Sequence, residues 1–311
     1  MHPAYSVIFF TTASGAGYGM LILIGILNAL GYLNNNVTYG VIILLLALSL
    51  ITCGLLSSTF HLGHPERAWR ALKEWRSSWL SREGVMALLT YIPASLLAIN
   101  WIIFDQTKGV YATIGLISSL CSILTVYCTA MIYASLRAIP AWNTPIVPTK
   151  FLLLSLITGC FYLNAIDVFF GRLSLELLVI NVIFIIFTAL IKFKYWSLID
   201  NKTENTDLGT ATGLGKLGKI SVLENPHSSQ NYLQREMGFK IARKHSRKLR
   251  KITILFLFVL PILLITISMG VQHIAHILLI TTALSGSVGI IIERWLFFAE
   301  AKHVVANYYD G

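Results

Sequence analysis

Eight stretches of this chain are too long and too apolar to belong to an ordinary soluble core. They fall near residues 4 to 30, 39 to 60, 83 to 104, 110 to 136, 149 to 166, 174 to 195, 252 to 272 and 274 to 298. A helix crossing a hydrocarbon layer about 30 Å thick takes roughly 20 apolar residues, so each run is read as one crossing. The expected fold is all-α: a polytopic helical bundle with eight transmembrane helices, forming a single integral membrane domain over 1–311. Charge supports this, because only 12% of residues are Asp, Glu, Lys or Arg, against roughly 25% in a soluble domain. The last two runs are separated only by Gln272 and His273, and Pro261 interrupts the first of them; one long segment is the rival reading there. The opening MHPAYS has no basic stretch and leads straight into an apolar run, so the first helix is expected to stay as an anchor rather than be cleaved.

Charge also sets the expected orientation. With eight crossings, both termini share a side with the connections 61–82, 137–148 and 196–251, and of the 24 Lys and Arg only Lys108 and Arg172 fall opposite. Positive residues of short loops stay in the cytoplasm, which places both termini there, in a bacterial inner membrane. The 196–251 connection is the one sizeable soluble piece. From Lys192 to Lys251 it carries 13 Lys and Arg against five acids. Such a surplus meets anionic lipid headgroups, and Arg243, Lys244 and Arg247 are also candidates for docking an acidic partner. Nucleic acid is not expected, since no aromatic platform or recognised binding module accompanies the charge. The run GLGKLGKI, residues 213 to 220, has a phosphate-loop skeleton but puts Ile220 where a hydroxyl should reach magnesium, so a glycine-rich turn is the better reading. Cys53, Cys121, Cys128 and Cys160 all lie in apolar runs with no CxxC pair, and read as small buried hydrophobes rather than ligands of a metal or cluster.

One polar stretch breaks the pattern. HLGHPERAWRALKEWRSSWLSRE, residues 61 to 83, packs two histidines, three acids, five basic residues and three tryptophans between two apolar runs. Pro65 suits a first helical position, and Ala68, Leu72, Trp75 and Trp79 recur at spacings of four, three and four. This predicts a short amphipathic helix in the headgroup layer, its tryptophans at the depth indole rings prefer. His61 then closes the second span and Glu83 opens the third, at similar depth. Taken singly, a first-turn glutamate is favoured by the helix dipole, and a span-end histidine has a loop carbonyl to bond. Together, an imidazole titrating near neutrality and a carboxylate near water are the groups needed to bind a quinone oxygen and pass its protons. Arg67 has two readings, stabilising a reduced, partly anionic ring or contacting lipid phosphate, with phosphate slightly favoured. Haem is not expected, because no two histidines sit well inside separate spans, although a pairing of His61 with His245 or His303 stays open.

These residues resemble a known family. HLG with Pro65, Arg67 followed by Ala68 and Trp69, Ser81 shortly before Glu83, and then IPAWNTPIVP at 139–148 after the fourth span are similar to the DmsC-like membrane anchors of dimethyl-sulfoxide-reductase-type molybdoenzymes. The resemblance implies a non-catalytic anchor in a three-part complex, beside a molybdopterin catalytic subunit and a ferredoxin-like iron–sulfur subunit. It also implies that the anchor exchanges electrons with quinone (ubiquinone or menaquinone) at His61 and Glu83, and binds no haem or iron–sulfur cluster itself. The long basic connection and the cytoplasmic docking face depart from the best-known branch; with the MHPAYSVIFFTT start they look like the anchors of cytoplasm-facing sulfite dehydrogenases, in which electrons run from sulfite oxidation to quinone. The alternatives are an anchor of a DMSO-type reductase oxidising quinol, or a proton-coupled secondary transporter. Transporters place their sites at the membrane midplane on broken helices, often with internal repeats. Here no repeat is evident, and Glu83, Asp105, Asp167 and Glu293 lie near span ends. A hydrolase using His61 with His64 or Glu66 lacks both the HExxH order and a serine motif.

Overall fold

A computed structural model describes residues 5–33, 36–60, 62–201, 208–221, 223–224 and 243–304. Among them helix is the one regular structure, with eight helices long and apolar enough to cross a membrane. These are α1 (Tyr5–Ala29), α2 (Val37–Thr59), α3 (Trp79–Ile102), α4 (Val110–Ala134), α5 (Ile146–Asp167), α6 (Leu175–Asn201), α8 (Ser246–Gly270) and α9 (Ala275–Ala299), with a five-residue α7 (Leu208–Thr212) between α6 and α8. The chain is a multi-span membrane protein. The doubtful final pair is two helices: the backbone leaves the helical region at Val271 and re-enters through one short turn at Gln272–Ile274. Pro261 does not break α8. The turn before it, Ile254–Val259, widens into a π-helix, a local adjustment that absorbs the missing proline N–H.

The first helix is the hub. Most of α1 is buried, and it reaches three neighbours through glycines. A Cβ on Gly17 would stand 2.6 Å from the Ala47 carbonyl oxygen of α2, one on Gly25 2.1 Å from the Gly115 oxygen of α4, and one on Gly19 1.8 Å from the Ser155 oxygen of α5. Between helices in lipid there is little hydrophobic drive, so close backbone approach through small residues supplies the packing. Gly19→Ala therefore forces α1 and α5 apart. Overpacking of this kind costs about 1–3 kcal/mol or more, and the expected result is a lowered thermal midpoint of the detergent-solubilised protein. Gly31→Ala, although in open space, is a poor control because of its positive φ. Ile26→Ala on the outer face is the better comparison.

The bridge between α2 and α3 differs from expectation. Pro65–Glu74 is a 3₁₀-helix, not an α-helix, and the chain then turns at Glu74, whose carbonyl accepts from the N–H groups of both Ser77 and Ser78. At about three residues per turn, Ala68, Leu72 and Trp75 no longer share one face, and Trp79 begins α3 instead. Leu72 is half-buried and lies against Gly84, while Trp69 and Trp75 stay exposed. The basic residues stack on these rings: Arg70 and Lys73 over Trp69 at 5.6 and 5.4 Å, Arg76 over Trp75 at 5.3 Å, and Arg82 over Trp79 at 4.2 Å. Much of the charge in this stretch is thus held on aromatic faces.

The described ends of the basic connection are helical continuations. Residues 196–201 extend α6, and 246–251 open α8; of the stretch 235–251, residues 235–242 lie outside the described residues. The GLGKLGKI segment is a turn beyond α7, with Gly213 at φ 71° and Gly215 N–H bonded to the Gly209 carbonyl.

Candidate functional site

Glu83 sits one turn into α3 yet is only 5% exposed. Its side chain is directed at α4, where Thr129 donates its hydroxyl to Oε1. An ionisable group buried in a membrane bundle needs such a partner. Tyr18 of α1, Cys128 of α4 and Tyr133 of α4 lie within electrostatic range of the carboxylate, and the Tyr18 hydroxyl is buried with no partner among the described residues. The site is therefore a buried polar cluster formed by α1, α3 and α4.

Next to it the bundle opens. One turn before Glu83 on α3, Trp79 meets Tyr127 of α4 edge-on at 6.0 Å. Tyr127 is also one wall of an open groove of about 490 Å³ between α4 and the start of α5, with Met131, Asn143, Thr144, Pro145 and Pro148. This groove is floored by the proline-rich connection singled out in the sequence. The other part of that connection, Trp142, is buried against Tyr133, Phe297 and Phe298 and donates its indole N–H to the Phe297 carbonyl at 2.9 Å. It pins α9 to the same end of the bundle.

The remaining predicted residues fare differently. His61, predicted beside Glu83, lies outside the described residues. Arg67 is exposed, its Nε 3.6 Å from Glu66, and His64 Nδ1 lies 3.0 Å from the same carboxylate. The Arg243 guanidinium bonds the carbonyls of Ala299 and Ala301 at 3.0 and 2.9 Å, closing the end of α9, whereas Lys244 and Arg247 are exposed. Arg250 completes this clasp, bidentate to Asp200 at 2.6 and 2.9 Å and bonded to Glu300 at 2.7 Å.

A second polar cluster has no counterpart in the sequence reading. Glu293 of α9 is fully buried, with Lys192 of α6 at 2.5 Å, Lys150 of α5 at 3.4 Å and its neighbour Arg294 at 3.6 Å. Three cations share one carboxylate. The excess charge faces rings: Lys150 lies 3.9 Å from the Tyr195 centroid and 4.0 Å from that of Phe297, and Arg294 lies 3.7 Å from that of Phe151. Tyr133 lies within electrostatic range of both Arg294 and Glu83, which places this cluster and the Glu83 site at one end of the bundle.

Comparison with known proteins gives this geometry its context. The chain matches the family described as DMSO reductase anchor subunit (DmsC) over residues 1–299. It is also 30% identical to a subunit of the sulfite dehydrogenase of Allochromatium vinosum, across all of this chain and 99% of that one. Since the family match runs from the first span to the end of the eighth, with Glu83 and the proline-rich groove inside it, the chain belongs to the DmsC family of DMSO reductase anchor subunits.

Proposed function

We propose that this chain is the quinone-reactive membrane anchor of a three-subunit molybdoenzyme, passing electrons from a ferredoxin-like iron–sulfur subunit to the quinone pool. The observation that carries the reading is the buried Glu83 carboxylate held by Thr129 at this end of the bundle, with Trp79 one turn earlier on α3 against Tyr127, which lines the groove. A buried carboxylate and a part-apolar opening thus lie on the same two helices, joined through the Trp79–Tyr127 contact. These residues fit a quinone, whose ring needs hydrogen-bonding groups and whose isoprenoid tail needs a lipid-facing slot. Bound quinone supplies two-electron, two-proton redox chemistry.

The chain's own part is proton handling and positioning. Glu83 delivers a proton toward a ring oxygen, with His61 as the second donor and Thr129 fixing the carboxylate orientation. Arg67, exposed at the mouth, contacts lipid phosphate or the ring's polar edge. The named relative belongs to a sulfite dehydrogenase, which supports sulfite oxidation on the partner catalytic subunit and electron flow toward quinone. Both termini lie in the cytoplasm on the charge argument, with Lys244 and Arg247 exposed there for the iron–sulfur subunit.

Affinity purification of the tagged chain from gently solubilised membranes tests the assembly. Molybdopterin and iron–sulfur subunits are expected in stoichiometric amounts, and isolation as a lone chain with transport activity would overturn the reading.

A further inference from the structure

Away from the Glu83 mouth, the outer surface of the bundle holds an apolar slot of about 290 Å³ between α1, α4, α5 and α6. Its walls are aliphatic, contributed by residues such as Leu23, Ile123, Leu156 and Ile180, with Phe184 beside them. Ile26, Leu30 and Ile180 on its rim are exposed on the outside of the bundle, so the slot opens to lipid.

One strong polar group lines it. Asn164 of α5 is only 7% exposed, and its Nδ2 has no partner among the described residues. A buried amide donor left unpaired is costly, and in a hydrocarbon layer no water replaces the missing acceptor. The slot therefore asks for a ligand that is apolar along its length and carries one hydrogen-bond acceptor at a fixed place.

Depth identifies that ligand. Asn164 is three residues from the end of α5 at Asp167, which at roughly 1.5 Å per residue puts it about 5 Å inside the helix end. The slot then runs along α5 from Asn164 to Leu152, about 18 Å by the same rise. One leaflet of a core about 30 Å thick is about 15 Å deep, so along α5 the slot runs from near the headgroup end of one leaflet to past the bilayer midplane, with its single donor at the headgroup end. This is the layout of a fatty acyl chain whose ester carbonyl lies at the level of Asn164. A redox quinone is a worse match, because its second oxygen and its protons would find no titratable side chain suited to them on these walls.

We propose that the slot is a specific site for a bilayer phospholipid, one acyl chain lying between α1, α4, α5 and α6 and its ester carbonyl accepting from Asn164 Nδ2. The bound chain completes the packing of α6, which contributes Leu177, Ile180 and Phe184 to the slot, against the α1 hub.

Native mass spectrometry of the detergent-solubilised protein, or of its complex, tests the site after delipidation and titration with a phosphatidylethanolamine and phosphatidylglycerol mixture, with ubiquinone in a parallel arm. The native chain is expected to hold one phospholipid at least tenfold more tightly than the remaining bound lipids. Ile180→Trp plugs the slot from its lipid side and should abolish that binding step, and Asn164→Leu should weaken it about tenfold, the loss of one hydrogen bond worth about 1.4 kcal/mol. Ile291→Trp, on the exposed face of α9, should leave it unchanged. Tight binding of ubiquinone in place of phospholipid, or equal retention by Ile180→Trp, would overturn the assignment.

Discussion

Glu83→Gln lowers quinone-linked turnover of the assembled complex by about 10²–10⁴-fold, the usual worth of a positioned acid or base, while activity with a water-soluble dye accepting electrons directly from the iron–sulfur partner stays near native. The substitution is chosen for what it preserves. Glutamine keeps the shape and an oxygen that accepts from Thr129, so packing between α3 and α4 survives and only the exchangeable proton is lost. Thr129→Val separates positioning from chemistry: it leaves the carboxylate but removes its anchor, and should reduce quinone turnover by a smaller factor, about fivefold, as one hydrogen bond is worth about 1 kcal/mol. His61→Ala should resemble Glu83→Gln. A complex that reduces quinone normally with Gln at position 83 would move the site elsewhere in the bundle. Loss of dye activity as well would mean that the subunits had failed to assemble.

The fold was legible because lipid imposes a length rule. Each of the eight apolar runs became a helix, with ends displaced by a few residues where polar ends continue the helix, as at Trp79–Arg82 before the third run and Ser246–Lys251 before the seventh. The bridge departs from its pattern because spacings of four and three fit an α-helix well, while the proline start and the turn at Glu74–Ser78 favour a tighter coil. Glu83 stood out because it opens the third span at the depth where His61 closes the second, and ionisable groups at such places in a membrane bundle point to function. Its partner did not, because Thr129 is 46 residues away and one threonine among many carries no local signal. The Lys150, Lys192, Glu293 and Arg294 cluster was hidden for a related reason. Each charge lies a few residues inside a span end and reads as a flanking charge for the positive-inside rule, and the contact between Lys192 and Glu293 joins positions 101 residues apart. The available clue was depth: VPTKFLL, LIKFKYW and IIERWL place their charges inside apolar sequence rather than beyond it.

That cluster carries the largest expected effect on stability. Among the described residues Glu293 is the sole carboxylate in contact with three buried cations, so Glu293→Gln leaves Lys150, Lys192 and Arg294 facing one another with only aromatic rings to hold them. Removing one partner of a buried ion pair costs about 3–5 kcal/mol, and with two further cations sharing the same carboxylate the loss should lie at the upper end. The expected result is a sharp fall in the amount of chain recovered from membranes and a strongly lowered thermal midpoint of what is recovered. Adding Lys192→Met to Glu293→Gln restores the native net charge of the cluster and should recover much of the lost midpoint. Lys192→Met alone lowers the number of cations competing for Glu293 and should cost less than Glu293→Gln. Thermal unfolding of the solubilised variants, followed by a maleimide dye that reports on newly exposed cysteines such as Cys160, measures all three. If Glu293→Gln unfolds at the native temperature, the carboxylate is not what balances α5, α6 and α9 in the bundle, and the rings alone suffice. If it is destabilised but Lys192→Met does not rescue it, the loss lies in a bond made by Glu293 itself rather than in unbalanced charge.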